Sequence, residues 1–223
     1  MLKYSLPVVD STDEFSVNKI ICIGRNYAEH AREMGHDPER EPPFFFFKPQ
    51  SALAQNGEDF HYPDFSRQVE HELELVIAIG KSGTKIPATD AGNFVFGFAV
   101  GLDMTCRDIQ KEAKKSGRPW ELAKGFDGSA PCTAIQRATL HDLEQYGELV
   151  LTRNGNEVQR GNWRDMVWPI PELIAEVSRY IKLEAGDLIF TGTPAGVGPV
   201  QIGDELIARL EGFSQILTVQ IAD

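Results

Sequence analysis

The sequence predicts an α+β protein, mostly β, with antiparallel or mixed sheet pairing, and three observations carry that expectation. Short runs of β-branched, apolar and aromatic residues dominate the chain, an Asn154-Gly155 pair sits between two strand-like arms, and the helical stretches are few. Those stretches do not alternate regularly with strands, which argues against a doubly wound parallel sheet. In chain order the strand-like runs are IICIG (20–24), FFFF (44–47), LELVIAIG (73–80) and FVFGFAVGLD (94–103). ELVLTRNGNEVQRG then reads as a hairpin turning at Asn154-Gly155, DLIFTG as a further strand, and residues 204–210 with 216–221 as a hairpin closing at Gly212. Three helices interrupt this pattern. One follows Asn26 as N-cap and runs to about Met34, with Gly35 beyond; one begins with Thr105 and Asp108 in a capping-box-like arrangement and stops at Gly117 and Pro119; one covers 171–181.

The 223 residues, 42% hydrophobic and 25% charged, suit one globular domain or two small ones and exclude a disordered or fibrous chain. Residues 1–65, rich in Pro and charge between strands, could form a small lobe of their own or belong to one domain with 66–223, since no linker marks a boundary. Thirty-three acids against 22 bases give a formal charge of −11, a surface that repels phosphate backbones and favours a small molecule over nucleic acid. Three cysteines without a CxxC suggest neither a disulfide framework nor a thiolate zinc site and fit a reducing cytoplasm. The start MLKYSLPVVDSTDEF lacks a basic-then-apolar leader, and no run approaches the roughly 18 apolar residues of a membrane span. A soluble cytoplasmic protein with no membrane partner is expected.

VEHELELVIAIG is the most informative segment. On a strand Glu70, Glu72 and Glu74 share one face with Val76 and Ala78, while Val69, Leu73, Leu75, Ile77 and Ile79 share the other. The acidic face is either the solvated side of a half-exposed strand or a patch of converging carboxylates that continues into apolar residues. If no bulge intervenes, Asp103 ends a face lined by Val95, Gly97, Ala99 and Gly101, with Phe94, Phe96, Phe98, Val100 and Leu102 opposite. Those small residues leave room for something to approach the strand; taken alone, Asp103 is equally an ordinary helix-entry acid before Thr105. Together Glu72, Glu74 and Asp103 offer three hard oxygen ligands, a set suited to Mg²⁺, Mn²⁺ or Ca²⁺. His71 points to the opposite face and reads as packing or hydrogen-bonded.

In GRNYAEHAREMG, His30 and Glu33 are three apart on a helix, so the carboxylate can orient the imidazole as a general base, or the two form a plain surface pair. Arg107 and Gln110 lie one helical turn apart after Asp103, and Lys124 follows a loop containing Trp120; these could hold an anionic substrate. Lys111, Lys114 and Lys115 read as a solvated face. TGTPAGVG places glycines around Thr191 and Thr193 in a loop whose backbone could approach a ligand, without a dinucleotide fingerprint.

GRNYAEHAREMG, FFFFKP, HELELVIAIGK, GLDMTCRDIQ, PWELAKGFD and GTPAGVGP occur in this order from Ile20 onward, and in them the chain resembles the fumarylacetoacetate hydrolase family, its short acylpyruvate-hydrolase-like branch. The resemblance implies a mixed β-roll over 66–223, preceded by strands and a lid helix that carries His30, and usually a homodimer. It implies Mg²⁺ or Mn²⁺ on Glu72, Glu74 and Asp103, His30 and Glu33 as the catalytic pair, and Lys124 and Gln110 on the reacting carbonyl or its oxyanion. Arg25, Arg107 and Thr193 would contact the substrate carboxylate or support the site. The implied reaction is cleavage of an acylpyruvate such as fumarylpyruvate or acetylpyruvate to pyruvate and a carboxylic acid. Oxaloacetate decarboxylation and oxo-acid isomerisation or hydration are the alternatives within the family, and a non-catalytic dicarboxylate-binding protein is the alternative of another class.

Overall fold

The computed structural model describes residues 4–29 and 42–223. Its centre is an eight-stranded mixed sheet in which Phe44–Lys48, Ile20–Gly24, Leu188–Phe190, Leu73–Ile79, Val95–Leu102, Ala130–Cys132 and Leu53–Gln55 lie side by side, with Gln136–Arg137 also paired to Val95–Leu102. Two of these neighbours run parallel, Leu188–Phe190 with Ile20–Gly24 and Ala130–Cys132 with Leu53–Gln55; the other pairs in the sheet are antiparallel. A second sheet of five strands orders Asn156–Gly161, Leu149–Arg153, Glu205–Leu210, Ile216–Ala222 and Phe60–His61. The mixed β architecture with few short helices is the one the sequence predicts.

Alternation decides how the central sheet is buried. Leu73, Leu75, Ile77 and Ile79 point into a large core shared with the second sheet and with Ile170–Tyr180, a helix that contributes Ile170, Leu173, Ile174 and Val177. Val76 and Ala78 point the other way, into a second core with Leu6, Val8, Phe15, Ile20, Cys22 and Phe190. The strand is therefore apolar on both faces because both are covered, and all seven of its residues are buried. A solvated face does not exist there, which removes the plainer reading of the acidic side.

Two local expectations fail for identifiable reasons. The ladder between Leu73–Ile79 and Val95–Leu102 shifts register so that Ala78 faces Gly97 and Ile79 faces Val95, leaving Phe96 as the extra residue of a bulge. Phe96 consequently turns away from Phe94 and Phe98 and packs in the second core, 5.2 Å from the Phe15 ring. The helix Arg107–Ser116 has Cys106 at its N-cap with no side-chain cap; Thr105 Oγ1 donates to the Asp103 carbonyl, and the Asp108 carboxylate is taken by Ser66 Oγ at 2.7 Å and by the Arg67 N–H at 2.9 Å. The helix does stop at Gly117, whose φ of 61° is left-handed, and Asn154 and Gly155 both have positive φ in the turn joining Leu149–Arg153 to Asn156–Gly161.

The helix expected after Asn26 falls mostly outside the described residues. Asn26 itself ties two loops together: its Nδ2 donates to the Thr191 carbonyl at 2.8 Å and its Oδ1 accepts the Trp168 N–H at 2.8 Å. Cys22, Cys106 and Cys132 are free and buried. Among the described residues no helix is long and apolar enough to cross a membrane.

Candidate active site

The two acids of HELEL reach the site because the strand ladder breaks between them and the strand before. Val69–His71 belongs to a small sheet with Thr105–Cys106 and Gly198–Pro199, whereas Leu73 opens the long strand of the central sheet. Glu72 sits at that break, and its carbonyl accepts the Asp103 N–H at 2.8 Å. Leu73 pairs with Leu102 and Glu74 with Gly101, so the three carboxylates project from one end of two neighbouring strands. They are buried, with 6%, 1% and 1% of their surfaces exposed, and one ligand oxygen from each lies within 4.8 Å of the others. The small residues along the Asp103 face make room for protein: a Cβ on Gly101 would sit 2.6 Å from the Phe190 ring and 2.8 Å from Val76 Cγ2.

Three buried cations surround these acids. Lys124 Nζ lies 2.8 Å from Glu72 Oε2 and 2.6 Å from Asp103 Oδ2. The Arg107 guanidinium forks to Glu70 Oε2 at 2.6 Å, Glu72 Oε1 at 2.5 Å and Gln110 Oε1 at 2.6 Å. Lys48 Nζ stands 2.8 Å from Asp103 Oδ1 and donates to Ser129 Oγ, Met104 O and Lys124 O. Lys48 escaped the sequence reading because it closes the FFFF run; its only signal is a charged residue that ends an aromatic strand. Burial pulls the Lys124 ammonium toward the neutral form, and the charges of Asp103 and Glu72 more than offset it, so its pKa rises.

Glu74 is the member left short of compensation. Burial pushes its carboxyl well above the ordinary range, the charges of Asp103 and Glu72 push it further, and the Gly192 N–H, donated to Oε2 at 2.8 Å, and Lys124 only partly restrain it. Asp103 Oδ1 has no aligned hydrogen-bond donor despite the nearby Lys48. A crowded set of hard oxygens with an unsatisfied lone pair and an excess of mutual repulsion is what a divalent cation relieves, so the donor set fits Mg²⁺ or Mn²⁺.

The trio forms the floor of a cleft whose empty space is about 460 Å³ with the open solvent at its entrance included. Arg25, Arg107, Gln110, Lys124 and Thr193 line it, so all five residues singled out for substrate contact come together there. Lys114 lines it too: it is exposed, as expected of the helix's lysines, but on the side that borders the cleft. Phe44, Phe46 and Trp120 supply the apolar walls. His30 and Glu33 lie outside the described residues. Gln159, also missed by sequence, supports the floor from the second sheet: its Oε1 accepts from the Leu73 N–H at 3.0 Å and pairs with His71 Nδ1 at 2.8 Å, while its Nε2 donates to Thr193 Oγ1 at 2.9 Å. His71 is thus buried and hydrogen-bonded, on the side away from the acids, and burial holds its imidazole below the usual histidine range.

The chain is 42% identical to a fumarylpyruvate hydrolase from Pseudomonas aeruginosa, solved in complex with Mn²⁺ and pyruvate; the two superpose with a TM-score of 0.94 over 100% of this chain and 97% of that one. It is 44% identical to the mitochondrial oxaloacetate tautomerase FAHD1 of Homo sapiens over 87% of each chain, and 40% identical to the oxaloacetate tautomerase YcgM of Escherichia coli over 90% of this chain and 92% of that one. Residues 19–220 match the model of the fumarylacetoacetate (FAA) hydrolase C-terminal family. A buried acidic trio, its cationic frame and a match over nearly the whole length together place this chain in the fumarylacetoacetate hydrolase family.

Proposed function

We propose that the protein is a divalent-metal-dependent enzyme that cleaves acylpyruvates, 2,4-dioxo acids such as fumarylpyruvate or acetylpyruvate, to pyruvate and a carboxylic acid. The observation that carries this reading is the group of three buried carboxylates within 4.8 Å of one another at the floor of a cleft that also presents Arg25, Arg107 and Lys124. The Mn²⁺ and pyruvate in the Pseudomonas aeruginosa relative support it. Mg²⁺ or Mn²⁺ held by Glu72, Glu74 and Asp103 would act as a Lewis acid toward the 2-oxo and carboxylate oxygens and favour the enolate form of the pyruvate product.

The chain's own residues supply the remaining parts. Arg107 orients the substrate carboxylate, with Thr193 across the cleft, while Gln110, joined to Arg107, serves with Lys124 at the reacting carbonyl. His30, oriented by Glu33, takes a proton from water, and the oxygen of that water attacks the distal carbonyl carbon. Lys124 faces the oxyanion that forms there with a full positive charge in a dry site. The bond between that carbon and the adjacent methylene then breaks; its electron pair moves onto the pyruvate fragment, and the proton taken by His30 returns to it. Water is consumed and no redox partner is needed.

A second reading is favoured by the oxaloacetate tautomerases of Homo sapiens and Escherichia coli: movement of a proton between the 2-oxo and enol forms of oxaloacetate, which uses the same charge stabilisation without hydrolytic water. Oxaloacetate decarboxylation needs the same stabilisation, and a non-catalytic dicarboxylate-binding protein would need only the binding groups. One panel separates them: pyruvate release from acetylpyruvate and fumarylpyruvate, and enol loss and pyruvate release from oxaloacetate, each with Mg²⁺ or Mn²⁺. Acylpyruvate cleavage abolished by Glu72→Ala and by His30→Ala is the expected result. Rapid enol–keto exchange without acylpyruvate cleavage would replace hydrolysis by the second reading, and binding without any turnover would favour the binding protein.

A further inference from the structure

The helix Arg107–Ser116 presents Arg107, Gln110 and Lys114 along one face of the cleft, at spacings of three and four. Arg107 is fixed at the floor by Glu70 and Glu72, whereas Lys114 lies seven residues on, about 10 Å further along the helix axis at 1.5 Å per residue. Its ammonium is held 4.9 Å from the centre of the Trp120 ring. Trp120 in turn meets the Phe44 ring edge-on at 5.1 Å, and the Arg25 guanidinium lies 5.6 Å from the Phe44 ring centre. Arg25 takes its place with a left-handed φ of 60°, a conformation that costs a non-glycine residue energy. Phe44 packs so closely on Gly24 that a Cβ there would overlap the ring. The outer part of the cleft is therefore a rigid aromatic wall carrying cationic groups, and no described carboxylate pairs with Lys114.

We propose that Lys114, beside Arg25, forms a second anion subsite at the mouth of the cleft, which selects 2-oxo acids that carry another carboxylate at the far end of their chain. The inference rests on the proposed function in one respect: the 2-oxo acid head is taken to lie at the acidic trio. Unsaturated or aliphatic carbons between the two ends then lie against Phe44, Phe46 and Trp120, and the terminal carboxylate reaches Lys114. Oxaloacetate, whose two carboxylates are separated by only two carbons, is too short to bridge the floor and the mouth. Among acylpyruvates, one ending in a carboxylate, such as fumarylpyruvate, suits the cleft better than acetylpyruvate.

Two unreactive ligands of equal length test this, 2-oxoadipate with a terminal carboxylate and 2-oxohexanoate with a terminal methyl, titrated calorimetrically into the full chain with saturating Mg²⁺. Neither has the 4-oxo group needed for cleavage, so the readout is independent of turnover. The wild type is expected to bind 2-oxoadipate about fivefold more tightly, the upper end for an ion pair open to solvent. Lys114→Met, which keeps an unbranched side chain over Trp120, should erase the difference, and Lys114→Arg should keep it. Equal affinities in the wild type, or a preference that survives Lys114→Met, overturns the subsite. If neither acid binds, the placement of the 2-oxo acid head at the trio fails instead.

Discussion

Two regions of this molecule assemble much the same charges with opposite surroundings. On the surface, Arg160 reaches Glu148, Glu157 and Glu211 at 2.8 to 3.0 Å, with side chains roughly two-fifths exposed. Below the cleft, Lys48, Lys124 and Arg107 meet Glu70, Glu72 and Asp103 at 2.5 to 2.8 Å, with Lys48, Lys124 and Asp103 almost wholly excluded from water. Water screens the first group and can replace any partner that is removed. Nothing can replace a partner in the second, where each charge depends on the others and Glu74 remains under-compensated. Proximity of charges is thus ordinary in both; being dry is what makes the second group chemically able.

The comparison can be broken most severely at Asp103. Asp103→Ala leaves the buried Lys48 and Lys124 ammonium groups without a shared counter-charge, and a loss of about 3–5 kcal/mol in unfolding free energy is expected from urea denaturation. A loss no larger than that of a surface substitution would mean that water enters the cluster freely. A smaller effect is expected at Gln159, which holds the acidic strand by hydrogen bonds alone. Gln159→Leu strands the Leu73 N–H and the His71 ring and should cost about 1–3 kcal/mol. Smallest of all, Arg160→Ala should leave the denaturation midpoint within experimental error, and high salt should not change that result. A clear midpoint shift would show that the surface group is a cooperative network.

Much of this was legible in the sequence where the signal is local or periodic. The Asn154-Gly155 turn, the stop at Gly117 and the closing hairpin follow from residue chemistry over a few positions. The period of two put Glu72 and Glu74 on one face, and antiparallel pairing brought Asp103 beside them. What was not legible depends on distant partners. Whether the acidic face was wet or dry turned on a second core built from residues as far apart as Leu6 and Phe190. Asp108 accepts the Ile109 N–H of its own first turn at 3.0 Å but closes no capping box with Thr105, because the N-cap falls on Cys106 and Ser66 and Arg67 share the carboxylate. Lys48 and Gln159 reach the site from strands 55 and 56 residues from Asp103 along the chain, and Lys114 differs from Lys111 and Lys115 only by the face it occupies.

The central claim, that the dry carboxylates gather a divalent cation, is tested most directly by titrating Mn²⁺ into the protein and following the paramagnetic resonance signal of the free ion. Wild-type protein is expected to take up one Mn²⁺ per chain, with affinity lowered at least about tenfold by Glu74→Gln, a change that keeps the side chain's shape and removes its charge. Absence of uptake by the wild type, or equal uptake by the variant, would contradict the account.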